Sequence, residues 1–481
     1  MRQRGSSFVV LGMIATAAPA CGDDTGTTPE DASTSTTDAP ATDTIPLPTG
    51  TSTTFEPGTS TVDPDTTASD TGTPSDLPGP EVDDCTRLTE LLTGLPAAAP
   101  AEQQPLVDDF VRTVTYGDHG FPILCDGTLS VVHLADSGQS LSLAGDFNDW
   151  APGEHVLQEP VDGLGFYVVS APADAAAGLY KLVRDETEFF ADPLARRFGW
   201  DEFGEYSQID ALPGRSHHER WPDFDQAIGT LEPRDLTVYV PADAEESGSA
   251  SLPLLVMHDG QNLFAPDALF GGWQVGPTLD AAIGEGSLAP LVVVGIANTS
   301  ARFDEYTPVS DVLDGVEVGG RADDYADFVV EGVLPFMTAR YDFVDASPAA
   351  TGVLGSSLGG LVSLYIGLRH ADRFGQVGSM SGTIAWGTFG ASNPTIVELW
   401  AEAPPLGLRV YLDSGGDAGL GCPDDGSDNY CDNLVFGDLL RQRGWVDEID
   451  LFQRWDAGAP HNEAAWAARL LPALQDWFPG P

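Results

Sequence analysis

The pattern of apolar and polar positions changes character three times along the chain. From Gly22 to Asp84 large apolar residues are almost missing; Thr, Ser, Asp, Pro and Gly dominate, and neither Lys nor Arg occurs. Such a segment cannot bury enough surface to offset its ordering entropy, so it is expected to be a disordered tether. Leu88 to Val114 carries short apolar clusters interrupted by Pro96, Pro100 and Pro105, which predicts one or two short helices. The period then shortens. Leu129-Ser-Val-Val-His-Leu134, Ser140-Leu-Ser-Leu-Ala144, Gly165-Phe-Tyr-Val-Val-Ser170 and Gly178-Leu-Tyr-Lys-Leu-Val-Arg184 are β-rich runs with turn residues between them. Short strands in this rhythm predict a β-sandwich. A proline-containing passage from Arg215 to Asp225 is expected to separate it from the next domain.

Beyond Leu231 strand, loop and helix alternate. Leu252 to Met257 and Leu291 to Ile296 are continuous apolar runs, as strands of a parallel sheet buried on both faces must be. Ala322 to Phe336 and Leu358 to Arg369 read as helices between such strands. The alternation predicts a doubly wound α/β domain.

The N-terminus reads as an address. Met1-Arg2-Gln3-Arg4 is basic, and the apolar run from Phe8 to Ala20 is shorter than the ~20 residues needed to span a bilayer. It ends Ala18-Pro19-Ala20-Cys21-Gly22, which resembles a bacterial lipobox with Cys21 as the lipidated first mature residue. The expected organisation is therefore a signal peptide of the lipoprotein type (1–21), a tether (22–84), a β-sandwich with a short helical start (85–228) and an α/β domain (229–481).

Composition narrows the partners. Against 21 Lys and Arg stand 74 Asp and Glu, a formal charge of −53. Such a chain repels nucleic acid and anionic membrane surfaces, leaving a lipid anchor as its membrane contact. Apart from Cys21 the cysteines are Cys85, Cys125, Cys422 and Cys431, an even number suited to an oxidising compartment. Local closure pairs Cys422 with Cys431 and Cys85 with Cys125. No CxxC pair or histidine cluster supports zinc, and no other metal or cofactor motif is apparent.

The chemistry centres on Thr351-Gly-Val-Leu-Gly355-Ser356-Ser357-Leu358-Gly359-Gly360. A β-rich stretch precedes this G-x-S-x-G, and Leu361, Leu364, Tyr365 and Leu368 follow at helical spacing. Strand, sharp turn and helix are the context a nucleophilic Ser357 needs, because glycines let strand and helix approach closely. The helix N-terminus would aim its dipole and the Leu358 amide at a developing oxyanion. A base and an acid must follow in chain order. His370 lies in the helix itself and points elsewhere, which leaves His461, in Gly458-Ala-Pro-His461, as the base. For the acid, Leu408 to Asp413 reads as a late strand with Asp413-Ser-Gly-Gly-Asp417 as its exit turn. Asp417 is the first choice and Asp413 the second; failing both, the acid would lie between Asp424 and Asp428. The run Pro423 to Asp428 lacks a calcium-ligand loop and reads as a solvated acidic loop. A second oxyanion amide is expected at Gly260 or Gln261, after the strand ending at His258, itself read as structural.

His258-Asp-Gly-Gln-Asn-Leu-Phe264, Asn298 through Arg302 to Glu305-Tyr306, Gly355-Ser-Ser-Leu-Gly-Gly360 and Gly458-Ala-Pro-His461 together resemble the putative-esterase family of α/β-hydrolases. That family includes enterochelin, feruloyl and acetylxylan esterases. Its acid usually sits in a Gly-x-x-Asp/Glu turn, and the spacing after Asp413 is one residue short of it. Upstream, Leu143-Ala-Gly-Asp-Phe-Asn-Asp-Trp150, Gly178-Leu-Tyr-Lys181 and Asp192-Pro193 resemble the glycogen-binding type of early-set, immunoglobulin-like β-sandwich. The resemblance implies an exported, cofactor-independent serine esterase acting on a carbohydrate ester or a siderophore-type, enterochelin-like ester. The alternative is a non-catalytic surface protein that binds polysaccharide on a hydrolase-like scaffold.

Overall fold

The computed structural model describes residues 83–174, 178–225, 231–244, 251–417, 422 and 428–481. The expected signal peptide, the lipidation at Cys21, nearly all of the tether, and Asp424 lie outside the described residues.

The α/β part is built on seven strands: β1 (Arg234–Val240), β2 (Leu252–His258), β3 (Val292–Ile296), β4 (Thr351–Ser356), β5 (Gln376–Met380), β6 (Arg409–Ser414) and β7 (Leu451–Trp455). They lie side by side in the order β7-β6-β5-β4-β2-β3-β1. All neighbouring pairs are parallel except β1 with β3. Successive residues of a strand face opposite sides, and the apolar runs use both. Leu254, Val256, Val292 and Val294 join one core cluster; Leu255, Met257 and Val293 join the other. Helices α1 (Val275–Gly284) and α4 (Glu463–Trp477) supply Leu279, Trp466, Leu470 and Trp477 to the second cluster. Helix α2 (Leu358–Arg369) supplies Leu361, Val362 and Leu364 to the first. Every residue of α2 from Leu358 to Gly367 is buried, matching its nearly unbroken apolar sequence. Helix α3 (Tyr430–Gln442) packs Phe436 and Leu440 into the same first cluster.

Upstream, helices Asp84–Gly94 and Pro100–Thr115 form where short ones were expected. The disulfide between Cys85 and Cys125 ties the first of them to strand Ile123–Cys125. That strand, Thr128–Leu134 and Phe166–Pro172 make a three-stranded sheet. Its Leu129, Val131, Tyr167 and Val169 share a core with Leu141, Leu143, Tyr180 and Leu182 from strands of the large sheet.

The passage from Arg215 to Asp225 does not separate two sheets. His217–Phe224 is a strand, antiparallel both to Arg197–Asp201 and to β1, so one fifteen-stranded sheet runs through the expected boundary. His217, His218, Trp221 and Phe224 are buried, and the register shifts between Trp221 and Phe224. Pro222 therefore falls at an irregularity, where a missing N–H is tolerated. The proline signalled a bulge.

Within this sheet Arg234 forms an ion pair with Glu305, both side chains being 1% exposed, with contacts of 2.9 and 3.2 Å. Removing one member of such a pair leaves an uncompensated buried charge. Arg234→Leu should therefore lower unfolding stability by about 3–5 kcal/mol, read as a fall in urea midpoint.

Candidate active site

Strand β4 runs directly into α2 through Ser357, whose backbone is at φ 56°, ψ −122°. Non-glycine residues rarely adopt positive φ, and the strain is held here by hydrogen bonds on both sides. The Ser357 N–H donates to Met380 O at 3.0 Å, and its carbonyl accepts from the N–H groups of Leu361 and Thr383, each at 3.1 Å. The turn also needs glycine at 355, since a Cβ there would lie 2.6 Å from the Gly359 carbonyl carbon. Ser357 Oγ lies 3.5 Å from Thr383 Oγ1. Ser356 is the last residue of β4, paired with Met380 and buried.

His461 lies in the loop between β7 and α4, which Asn462 caps by accepting from the Ala465 N–H at 3.1 Å. This loop is laced to the chain leaving β6: Asp456 N–H to Ser414 O at 2.9 Å, Gly458 N–H to Gly416 O at 2.8 Å and Gly416 N–H to Ala459 O at 2.9 Å. The imidazole stands edge-on to Trp466, with ring centroids 4.9 Å apart. Its Nδ1 is 2.6 Å from a carboxylate oxygen of Asp428. Against a carboxylate acceptor Nδ1 carries the proton, which leaves Nε2 able to accept one.

The acid beside His461 is thus Asp428, in place of Asp417 or Asp413. Asp428 Oδ2 accepts from the Ser381 hydroxyl at 2.7 Å and from the Gly415 N–H, and the side chain is 1% exposed. Asp413 lies fully buried behind it, taking hydrogen bonds from Arg469 Nε at 3.2 Å and the Tyr411 hydroxyl at 3.3 Å. Burial pushes the Asp413 carboxyl up to about 7, against the opposing pull of the Arg469 charge. Asp417 is exposed, just past the segment that carries the Gly415 amide. Strand-exit reasoning looks for the acid on the first residues after β6. Here those residues supply an N–H, and the carboxylate comes from the far end of the following loop, next to α3. The signal that could have found it is the Cys422–Cys431 bridge, which closes a short segment of sequence containing Asp428.

On the opposite side, β2 ends at His258 and passes through Asp259, at φ 57°, into a tight turn over Gly260–Asn262. A Cβ on Gly260 would lie 2.7 Å from the Gly295 carbonyl carbon, so only glycine lets the turn pack on β3. A Cβ on Gly359 would lie 3.4 Å from both the Asp259 carboxylate and His258 Cβ, which places the turn against the start of α2. The expected amide donors, Leu358 on one segment and Gly260 and Gln261 on the other, are thereby brought to adjoining segments.

What holds that turn was not apparent from the sequence. Arg302 makes a two-pronged contact with Asp259 at 2.7 and 2.8 Å, Asn298 Nδ2 donates to the same carboxylate at 2.6 Å, and the Asp259 N–H meets the Tyr306 hydroxyl at 3.3 Å. Burial alone would raise the Asp259 carboxyl; the Arg302 charge and these hydrogen bonds leave it below its ordinary value. His258 bonds the Tyr325 hydroxyl through Nδ1 at 2.9 Å, and burial lowers it to about 3, so it stays neutral and structural. Asn262 Nδ2 reaches Glu463 at 3.2 Å, tying the turn to the residue that opens α4 beside His461.

The family model described as Putative esterase matches residues 230–477. The chain is 26% identical over 252 residues to the uncharacterized protein YbbA of Bacillus subtilis (strain 168), covering 51% of this chain and 93% of that one. It is 35% identical over 178 residues to the iron(III) enterobactin esterase of Escherichia coli (strain K12), covering 35% of this chain and 41% of the relative, less than half of that protein. A solved enterobactin esterase from Shigella flexneri is similar at 19% identity and a TM-score of 0.41, over 75% of this chain and 96% of that one.

Two measurements check the site. Asp428→Asn should cut ester turnover by about 10⁴-fold with the fold retained, whereas Asp417→Asn should stay near wild type, compared by steady-state rates on a chromogenic ester. Asp413 supplies a pH dependence. With its carboxyl at about 7 instead of the ordinary 3.8, the folded state holds that proton more tightly, so stability drains away as pH rises across that interval. Asp413→Asn removes this titration. Urea midpoints at the two ends of the interval should show the wild type losing ground to the variant as pH rises.

Proposed function

This chain belongs to the putative esterase family, and on that premise we propose that it is an exported serine esterase working through a covalent acyl-enzyme. The observation that carries the reading is the pairing of a strained Ser357 turn with an Asp428–His461 hydrogen bond of 2.6 Å, both anchored on the end of β5. In this reading His461 Nε2 takes the Ser357 proton as the hydroxyl oxygen attacks the ester carbonyl. Asp428 keeps the imidazole in the tautomer that can accept it and steadies the imidazolium that forms. Amides of Leu358 and of Gly260 or Gln261 receive the negative charge on the former carbonyl oxygen. His461 then returns the proton to the departing alcohol, and water activated by the same base releases the acid.

The E. coli relative is named for iron(III) enterobactin. Ferric catecholate siderophores are polyanions, however, and a chain of charge −53 offers few cations to receive them. A neutral carbohydrate ester or small acyl ester therefore fits at least as well. Two disulfides suit an oxidising compartment outside the cytosol, in keeping with the N-terminal export signal read from the sequence.

The experiment is the nucleophile substitution. Ser357→Ala should abolish turnover of activated esters while barely moving the melting temperature, because the hydroxyl faces the site and leaves no cavity. A fluorophosphonate probe should label the wild type once, at Ser357, and Ser356→Ala should still be labelled. Unchanged turnover in Ser357→Ala, or a wild type that neither turns over esters nor takes the probe, would transfer the chain to the non-catalytic, polysaccharide-binding reading.

A further inference from the structure

Asp428 sits inside a covalent ring. Cys422 and Cys431 are joined by a disulfide across a separation of 9 residues, and Asp428 lies within the segment it closes. The backbone there is strained: Asp428 and Asn429 are both left-handed, at φ 52° and 57°. Asp and Asn tolerate that region singly better than other side chains do, but two in succession persist only where the surroundings over-determine them. Part of the restraint is visible as hydrogen bonds. Asp428 is held by Ser381 and Gly415, Asn429 Nδ2 donates to Ser381 O at 2.8 Å, and the Asn429 carbonyl accepts from Asn433 N–H at 3.0 Å and Nδ2 at 2.8 Å. The covalent part comes two residues later, because Cys431 is buried in the first turn of α3.

We propose that the Cys422–Cys431 disulfide is a positioning element for catalysis: it holds the left-handed turn that delivers Asp428 to His461, so that breaking it costs turnover before it costs the fold. This rests on the serine-esterase reading above. The ring closes over few residues, and the helix after it is anchored independently by Phe436 and Leu440 in the core. The segment most loosened by opening it is therefore the one bearing the acid. A carboxylate 2.6 Å from Nδ1 has little room to drift before its hydrogen bond is lost. The second bridge serves as an internal control. Cys85–Cys125 lies beside a separate apolar cluster formed by residues such as Leu88, Phe110 and Ile123, which contains none of the site residues.

The test compares two double variants of the full chain, Cys422→Ser with Cys431→Ser, and Cys85→Ser with Cys125→Ser. On a chromogenic acetate ester the first should lose about 10²-fold in kcat, the order expected when a catalytic group is misplaced by about an ångström, with KM nearly unchanged. The second should keep its kcat and show the larger fall in melting temperature. A readout independent of turnover is the downfield proton resonance of His461 Nδ1–H, assigned by its disappearance in Asp428→Asn. It should be present in the wild type and the second variant and lost in the first. Its loss there supports the proposal even if the wild type hydrolyses no ester, an outcome that would sink the esterase reading alone. Retention of that resonance together with full kcat in the first variant would overturn the proposal. Should that variant not fold, the wild type is reduced instead. The disulfide then takes two electrons and two protons from an added dithiol, which is itself oxidised to a disulfide. Loss of kcat that returns on reoxidation supports the proposal, and full turnover with Cys422 and Cys431 shown reduced by mass mapping refutes it.

Discussion

The Ser381 hydroxyl lies fully buried at the end of β5, and the orientation of Asp428 toward His461 passes through it. It donates to Asp428 Oδ2 at 2.7 Å and accepts from Arg469 Nη2 at 2.8 Å and Trp466 Nε1 at 3.0 Å. One donor and two lone pairs are thus all used. The backbone of the same residue donates to Asp413 O at 2.8 Å and accepts from Asn429 Nδ2 at 2.8 Å. Strands β5 and β6, the segment leading into α3, and helix α4 therefore meet at a single residue. The preceding residue, Met380, accepts the Ser357 N–H, so the Ser357 turn and Asp428 are referenced to the same strand end. Buried polar networks are worth having only when every member is satisfied. The Ser381 hydroxyl meets that condition, whereas Arg469 Nη1 and Asp413 Oδ1 beside it are buried without a hydrogen-bond partner among the described residues.

A second network of similar character holds the opposite wall. Asp259 is buried with Arg302, Asn298 and the Tyr306 hydroxyl around it, and next to that lies the Arg234–Glu305 pair. Thr299 Oγ1 donates to Glu305 at 3.1 Å, linking the two ion pairs through the 298–306 segment. Buried ion pairs are poor sources of net stability, because desolvation takes back most of the Coulombic gain. Their value here is geometric. A left-handed Asp259 and a turn with no room for a Cβ at Gly260 would not stay in register on apolar contacts alone, and the bidentate guanidinium fixes both direction and distance.

Much of this was legible in the sequence. Continuous apolar runs announced the parallel strands because a sheet covered on both faces needs no polar alternation, and G-x-S-x-G between a strand and a helix announced the elbow because few other sequences fit that turn. The local pairings Cys85–Cys125 and Cys422–Cys431 came from loop-closure entropy, and both bridges are present. Two readings differ from the structure for a common reason. The passage from Arg215 to Asp225 was expected to separate two domains, and Asp417 was preferred as the partner of His461, on the strength of what neighbouring residues would do by themselves. In the fold, Pro222 occupies a bulge in a strand paired on both sides, and Asp428 arrives at His461 from across a loop.

Local chemistry is what the linear chain determines: which residues can nucleate a strand, which can occupy a strained turn, which cysteines lie close enough to join, and which side chains can attack, accept a proton or orient a base. The tertiary structure alone decides which of several equivalent carboxylates lies against His461. Asp413, Asp417 and Asp428 share one chemistry and one stretch of sequence. Their environments differ because Arg469 and Tyr411 enclose the first, the second is exposed to solvent, and Ser381, Gly415 and His461 converge on the third. Those partners come from strands and helices far apart in sequence, and a hydrogen bond of 2.6 Å depends on where their packing brings them.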